Sequence, residues 1–185
     1  MESDKNKFEQ VTSRIQSQSP CAIVLSSGYS SSAFSEEFLH ACSGFLSSSN
    51  ILPVRVECAQ YPDSISIWKG IAEKIKFAIN SVFSGNTVTK KSLEIIESAT
   101  STDIIKSYLV RVLEQTKKHS GWTVLLMLED FENVVDTMED YDIMKIRGMT
   151  TSLIIVSVSH SPLETLGQQK YANAYFCNQF VTFLM

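Results

Sequence analysis

The sequence has few of the residues that build disulfide frameworks and metal sites. Its four cysteines, Cys21, Cys42, Cys58 and Cys177, form no C-x-x-C pair, and its three histidines form no H-E-x-x-H motif. Several of the cysteines lie inside or beside apolar runs. We therefore expect free, buried thiols in a reducing compartment rather than a disulfide or metal framework.

Long apolar runs are also missing. No stretch reaches the roughly 18 consecutive apolar residues of a membrane-spanning helix. The first ten residues, MESDKNKFEQ, are polar and charged, whereas a secretory signal would carry an apolar run. We predict a cytoplasmic protein with no membrane partner.

An excess of positive charge is the third absence. The chain has 16 lysines and arginines against 20 aspartates and glutamates, which gives a net charge of −4. Nucleic-acid binding usually needs a basic surface that neutralises phosphates. The charge balance therefore argues against nucleic acid as a partner.

With 44% hydrophobic residues over 185 positions, the chain can bury an ordinary hydrophobic core.

Apolar runs typical of buried strands alternate with segments of helical periodicity. Five strands are predicted, at residues 21–25, 51–56, 122–128, 152–158 and 180–184. Helices are predicted at residues 8–15, 34–42, 64–83, 102–120 and 135–146. Residues 84–102 lack a clear period, so we predict an insertion or mobile loop there, with at most a short helix at 93–96. This order predicts an α/β three-layer sandwich, in which a parallel five-stranded sheet carries helices on both faces.

Small polar residues follow the first predicted strand, in the segment SSGYSSSAF at 26–34. A strand, a loop of small residues and a helix start form the setting of a phosphate-binding loop, where backbone N–H groups hold an anion. Compared with G-x-x-x-x-G-K-[ST], serines replace both glycines and the lysine, and alanine replaces the magnesium-binding hydroxyl. The candidate cofactor-binding residues here are Ser26, Gly28, Ser30, Ser31, Ser32 and Ala33.

The replacement of the lysine by Ser32 has the largest consequence for function. That lysine supplies the charge on the β- and γ-phosphates during phosphoryl transfer, and a serine supplies none. We therefore expect no efficient ATP hydrolysis. The alternative is a serine-rich turn that only connects a strand to a helix.

Two acids follow the strand at 122–128. Glu129 and Asp130 stand at the strand tip, where carboxylates bind a magnesium ion or act as a base in hydrolysis. Their order is the reverse of the usual aspartate–glutamate pair. A solvated strand end, or a helix N-cap at Asp130, is the alternative interpretation.

The strand at 152–158 carries a third candidate group. Ser157 is placed to contact a γ-phosphate or an attacking water, and we add it to the cofactor-binding candidates. His160 precedes a Ser-Pro turn, which favours an exposed loop residue.

Taken in order, these segments resemble a known family. SSGYSSSAF, LLMLEDFENV and SLIIVSVSHSPLETL are similar to the Walker A, Walker B and sensor-1 segments of AAA+-related P-loop ATPases, in particular the STAND-type ATPases of bacterial signalling and defence. IRGM at 146–149 and YFCNQF at 175–180 also resemble segments of that family. The resemblance covers about residues 8–184. It implies the strand order 5-1-4-3-2, a degenerate Walker A, and Glu129 and Asp130 as a vestigial Walker B without a confident catalytic residue.

The resemblance also implies a domain organisation and a function. The whole chain, 1–185, is interpreted as one P-loop NTPase-like domain without the lid and winged-helix domains of the family. Because the lysine is missing, we predict a non-hydrolysing protein-interaction or regulatory module that needs no cofactor. It would contact a protein partner or a second copy near residues 176–185.

Two alternative functions stay open. One is a nucleotide switch that binds ATP or ADP, with Mg²⁺ held by Glu129 and Asp130. The other is an origin-recognition-like subunit, which belongs to the same superfamily.

Overall fold

The computed structural model describes residues 4–19, 21–25, 30–82, 87–133, 146, 149–160 and 180–183. Within them the helices and strands follow one another in the order α1 (Asp4–Gln16), β1 (Cys21–Leu25), α2 (Ser31–Ala41), α3 (Ser43–Ser48), β2 (Ile51–Glu57), α4 (Ser64–Val82), α5 (Thr87–Ser98), α6 (Thr102–Ser120), β3 (Thr123–Glu129), β4 (Leu153–Ser159) and β5 (Phe180–Phe183).

The described strands form one sheet in the order β2-β3-β4-β1-β5. Every neighbouring pair is parallel, so the carboxyl ends of all the strands lie at one edge. This confirms the predicted parallel α/β sheet. The strand order is the one that the resemblance implied, read from the opposite edge.

Strand β3 shows how the sheet is covered on both faces. All seven of its residues are buried. Val124, Leu126 and Leu128 point into a core shared with α4, α5 and α6, whereas Leu125 and Met127 point into a second core shared with α1, α2 and α3. Because successive side chains of a strand alternate between faces, a strand with two buried faces is apolar throughout. The three layers follow from this pattern.

The prediction of an insertion or mobile loop at 84–102 is wrong for the described residues. Residues Thr87–Ser98 form helix α5, which contacts α4 and α6. Its buried positions are Thr89, Ser92, Leu93 and Ile96, which follow the i, i+3, i+4, i+7 spacing of one helix face. Two of these four residues are polar, so a count of apolar residues alone missed the period.

The remaining expectations divide between described and undescribed residues. Cys42 and Cys58 are free, buried thiols, as predicted. None of the described helices combines the length and the apolar character needed to cross a bilayer. The predicted helix at 135–146, apart from its last residue, and the segment at 161–179 lie outside the described residues. The partner contact was predicted at residues 176–185, of which the structure describes only the backbone of 180–183.

Candidate functional site

The start of α2 and the ends of β3 and β4 meet at the carboxyl edge of the sheet. In open parallel sheets this edge is where ligands bind. Ser30 is the N-cap of α2, and its Oγ accepts a hydrogen bond from the backbone N–H of Ala33 at 3.3 Å. Serine is favoured at this position because its hydroxyl satisfies a backbone donor that the helix leaves unpaired. The loop's own serine therefore uses one of the N–H groups that an anion would need.

Ser31 connects α2 to the end of β3. The residue is buried, and its Oγ donates a hydrogen bond of 2.6 Å to Oδ1 of Asp130. Asp130 itself has a backbone φ of 50°, in the left-handed region. Its side chain thus contacts α2. The backbone carbonyl of Asp130 accepts a hydrogen bond from the N–H of Asn133 at 3.0 Å, and the N-cap alternative for its side chain stays a prediction.

An arginine from β2 lies beside the position where the lysine is missing. The Nε of Arg55 donates to Oε1 of Glu129 at 2.6 Å, and its Nη2 lies 3.4 Å from Oε2. The same Nη2 donates to the Oγ of Ser32 at 2.6 Å and to the Ser32 carbonyl oxygen at 3.0 Å. One guanidinium therefore joins the two positions that the resemblance assigns to Walker A and Walker B. The sequence pattern did not identify this residue.

The contact with Arg55 affects the ability of Glu129 to bind a magnesium ion. The Glu129 side chain is 3% exposed, and the guanidinium contacts both of its carboxylate oxygens. A metal ion at Glu129 would have to displace this cation. Ser32 brings no charge and Ala33 no hydroxyl. The residues present therefore do not fit a magnesium–nucleotide complex of the usual kind, and the nucleotide-binding roles stay predictions.

Of the predicted site residues Ser26, Gly28 and Ser157, the structure describes only Ser157. Ser157 is 1% exposed and lies two residues before the end of β4, beside Leu128 of β3. Its Oγ has no hydrogen-bond partner among the described residues. The structure therefore brings Ser30, Ser31, Ser32, Glu129 and Asp130 to one place, whereas the Ser157 hydroxyl makes no hydrogen bond with these or other described residues.

His160 is not the exposed loop residue that the sequence predicted. Its side chain is 31% exposed, and its Nδ1 lies 3.1 Å from Oε1 of Glu132 and 3.7 Å from Oδ1 of Asp130. The backbone N–H of His160 also donates to Oε1 of Glu132 at 3.2 Å. The reason is its position directly after β4, which ends at the same edge as β3. That position was the signal that could have identified it.

The carboxylates make this edge electrically negative. Burial raises the pKa of the Cys58 thiol well above its ordinary value, and the charges of Asp130, Glu129 and Glu132 raise it further. A thiolate is disfavoured both by the loss of water and by like charges. Cys58 is consequently a neutral thiol, and it offers neither a nucleophile nor a ready metal ligand.

Comparisons with known proteins identify the fold. No protein-family model matches the chain, and no curated protein matches it in sequence. Among solved structures it is similar to the Orc1 protein of Aeropyrum pernix in complex with DNA, with a TM-score of 0.68 and 12% identity over 99% of this chain and 45% of that one. It is also similar to the Aeropyrum pernix ORC2 protein in complexes with ADPNP and ADP, with a TM-score of 0.62 and 12% identity over 97% and 45% of the two chains.

A third similar structure is the Drosophila origin recognition complex, ORC, bound to poly(dA/dT) DNA and Cdc6. Its TM-score is 0.61, with 11% identity over 98% of this chain and 28% of that one. The chain thus spans less than half the length of these proteins. Identities this low show the fold alone.

These structures correct the prediction about nucleic acid. We argued from the acidic charge balance against such a partner, and that prediction is wrong, because two of the similar structures were solved on DNA. Net charge describes the average of a surface, whereas nucleic acid contacts only a local part of it. Through its similarity to Orc1 and Cdc6 proteins, the chain has an AAA+ P-loop ATPase-like fold.

Proposed function

We propose that this chain is a non-hydrolysing AAA+-like domain that acts as a protein-interaction module in an assembly of the origin-recognition type. The observation that carries the proposal is the contact of Arg55 with both Glu129 and Ser32. In this arrangement a side chain of the protein itself satisfies the groups that would otherwise bind a magnesium–nucleotide complex.

The charges at the site argue against hydrolysis. Phosphoryl transfer depends on a lysine against the phosphates and on a carboxylate that holds a metal ion. Ser32 replaces the lysine, and Glu129 is neutralised by an ion pair with Arg55 at 2.6 Å. Moving Arg55 fully onto a triphosphate would break its contact with Glu129, and this would leave the carboxylate without its partner.

The fold comparisons support the setting. The similarity extends over 97–99% of this chain, so the AAA+-like scaffold is retained while the phosphate-binding residues differ. A scaffold kept without its catalytic residues still offers surfaces for other proteins, and one of the similar structures is a complex of ORC with Cdc6. We therefore favour an origin-recognition setting over the signalling or defence setting that the sequence suggested.

Isothermal titration calorimetry with ATP and Mg²⁺ tests the absence of nucleotide chemistry. We expect no saturable binding below about 1 mM, a limit that corresponds to roughly −4 kcal/mol, and no phosphate release above the buffer blank. The Aeropyrum pernix ORC2 protein, solved with ADPNP and ADP, is a suitable positive control. A micromolar dissociation constant, or turnover that Glu129→Gln abolishes, would favour the nucleotide-switch alternative and contradict the proposal.

A second candidate function is direct contact with DNA, favoured by the two similar structures that were solved on DNA. Fluorescence anisotropy with a labelled poly(dA/dT) duplex measures it. For this function we expect a dissociation constant of about 10⁻⁴ to 10⁻⁶ M whose logarithm changes linearly with that of the salt concentration. An unrelated protein of equal net charge is the control. Absence of binding at low salt would exclude direct contact with DNA and leave the protein-interaction role unaffected.

A further inference from the structure

Three metal-ligating side chains meet beside the Arg55–Glu129 pair. Asp130 and Glu132 come from the turn after β3, and His160 comes directly after β4. One ligand atom of each residue lies within 4.8 Å of the other two. All three are partly buried. The cluster therefore combines two carboxylates and an imidazole from two different segments of the chain.

The distances in this cluster suit a shared metal ion. Nδ1 of His160 is 3.1 Å from Oε1 of Glu132 and 3.7 Å from Oδ1 of Asp130. A tetrahedral metal ion with bonds of about 2.1 Å holds its ligand atoms roughly 3.4 Å apart. The third separation, between ligand oxygens of Asp130 and Glu132, is at most 4.8 Å, so the three atoms lie close to this spacing.

Neighbouring groups hold two of the ligands in place. Oδ1 of Asp130 accepts a hydrogen bond from the buried hydroxyl of Ser31, and Oε1 of Glu132 accepts one from the backbone N–H of His160. Hydrogen bonds of this kind orient metal ligands and contribute to their affinity. Phe131 lies between the two acids in the sequence. Its side chain is buried and anchors the turn that carries them.

A separate observation concerns the second carboxylate oxygen of Glu132. Oε2 of Glu132 is buried, and no hydrogen bond to it is made by any part of the chain that the structure describes. A buried carboxylate oxygen without a partner is costly, since it has lost its water and gained nothing in return. Arg55, a nearby cation among the residues that the structure describes, contacts Glu129 instead. A metal ion bound by both carboxylate oxygens of Glu132, together with Asp130 and His160, would supply the missing partner.

We propose that Asp130, Glu132 and His160 bind one divalent transition-metal ion of the Zn²⁺ class. An imidazole with two carboxylates suits ions of intermediate softness, whereas Mg²⁺ prefers oxygen ligands and retains its water. Three protein ligands also leave a position for water. The site uses neither Ser32 nor Glu129. It therefore goes beyond the proposed function, and an experiment that contradicts one of them leaves the other unaffected.

Calorimetric titration of the full chain with Zn²⁺ tests the site. We expect one ion per chain with a micromolar or tighter dissociation constant, and a loss of affinity of at least tenfold in both Glu132→Gln and His160→Ala. The matched controls are Glu36→Gln and His40→Ala, which change exposed residues of α2 and should leave the affinity unchanged. Co²⁺ provides a second readout, because its visible absorption reports the coordination geometry.

Circular dichroism verifies that each variant is folded, and Glu132→Gln, which keeps the side-chain shape, serves if His160→Ala unfolds. Zn²⁺ binding that survives both substitutions would assign the ion to other groups, such as the cysteines, and would overturn the proposal. Absence of saturable binding would overturn it as well, and so would displacement of Zn²⁺ by an equal concentration of Mg²⁺.

Discussion

Replacement of Phe131 by alanine is expected to lower the free energy of unfolding by about 3–5 kcal/mol, the usual cost of removing a large buried aromatic side chain. Phe131 is 2% exposed and belongs to the core formed with α4, α5 and α6. It lies between Asp130 and Glu132, so its loss should also disorder the turn that carries these acids. Urea denaturation, followed by circular dichroism, measures the change.

The chain contains a matched control for this substitution. Phe77 lies on α4 with 81% of its surface exposed, so Phe77→Ala removes the same atoms without opening a cavity. We expect its effect to stay within about 0.5 kcal/mol, as for most surface substitutions. Equal effects of the two substitutions would contradict the placement of Phe131 in the core.

Replacement of Arg55 by alanine is expected to cost about 3 kcal/mol, at the lower end of the range for breaking a buried ion pair. Glu129 would remain at 3% exposure without its partner, whereas Arg55 itself is 32% exposed and gains less from burial. Denaturation curves measure the loss. Arg111→Ala is the control, because Arg111 lies on the surface over the ring of Tyr108 and should contribute about 0.5–1 kcal/mol.

A double-mutant cycle separates the ion pair from other effects of the substitution. Glu129→Leu combined with Arg55→Met should recover most of the stability that Arg55→Met loses alone, since apolar replacement of both partners removes the unpaired charge. Strictly additive effects would mean that the two side chains do not interact. The proposal of an internally satisfied nucleotide-type site would then lose its main support.

Much of the fold was predictable because burial follows local periodicity. The continuous apolar run of β3 predicted a strand covered on both faces, and the long apolar stripe of α4 predicted its helix almost to the residue. Helix α5 was missed because Thr89 and Ser92 occupy positions on its buried face. Whether a threonine faces a core or the solvent depends on the neighbouring helix, and the local sequence does not contain that information.

The site was predictable only in part. The rule that ligands bind at the carboxyl ends of parallel strands directed attention to the residues after β1 and β3, and the structure brings Ser31 and Asp130 into contact there. Arg55 was not predicted as a site residue because it lies inside β2, in a run interpreted as a buried strand. The signal that could have identified it was a charged residue within an otherwise apolar strand. It indicates a side chain that extends past the strand end toward a partner.

The sequence by itself determined where most strands and helices begin and end, since this depends on residues close together in the chain. It also showed directly that position 32 has a serine in place of the lysine. Only the tertiary structure decided that Arg55 pairs with Glu129, 74 residues away, and that Ser31 bonds to Asp130, 99 residues away. These contacts depend on which strands become neighbours and in which register. That choice is made by the packing of the helices on both faces of the sheet, so no single segment encodes it.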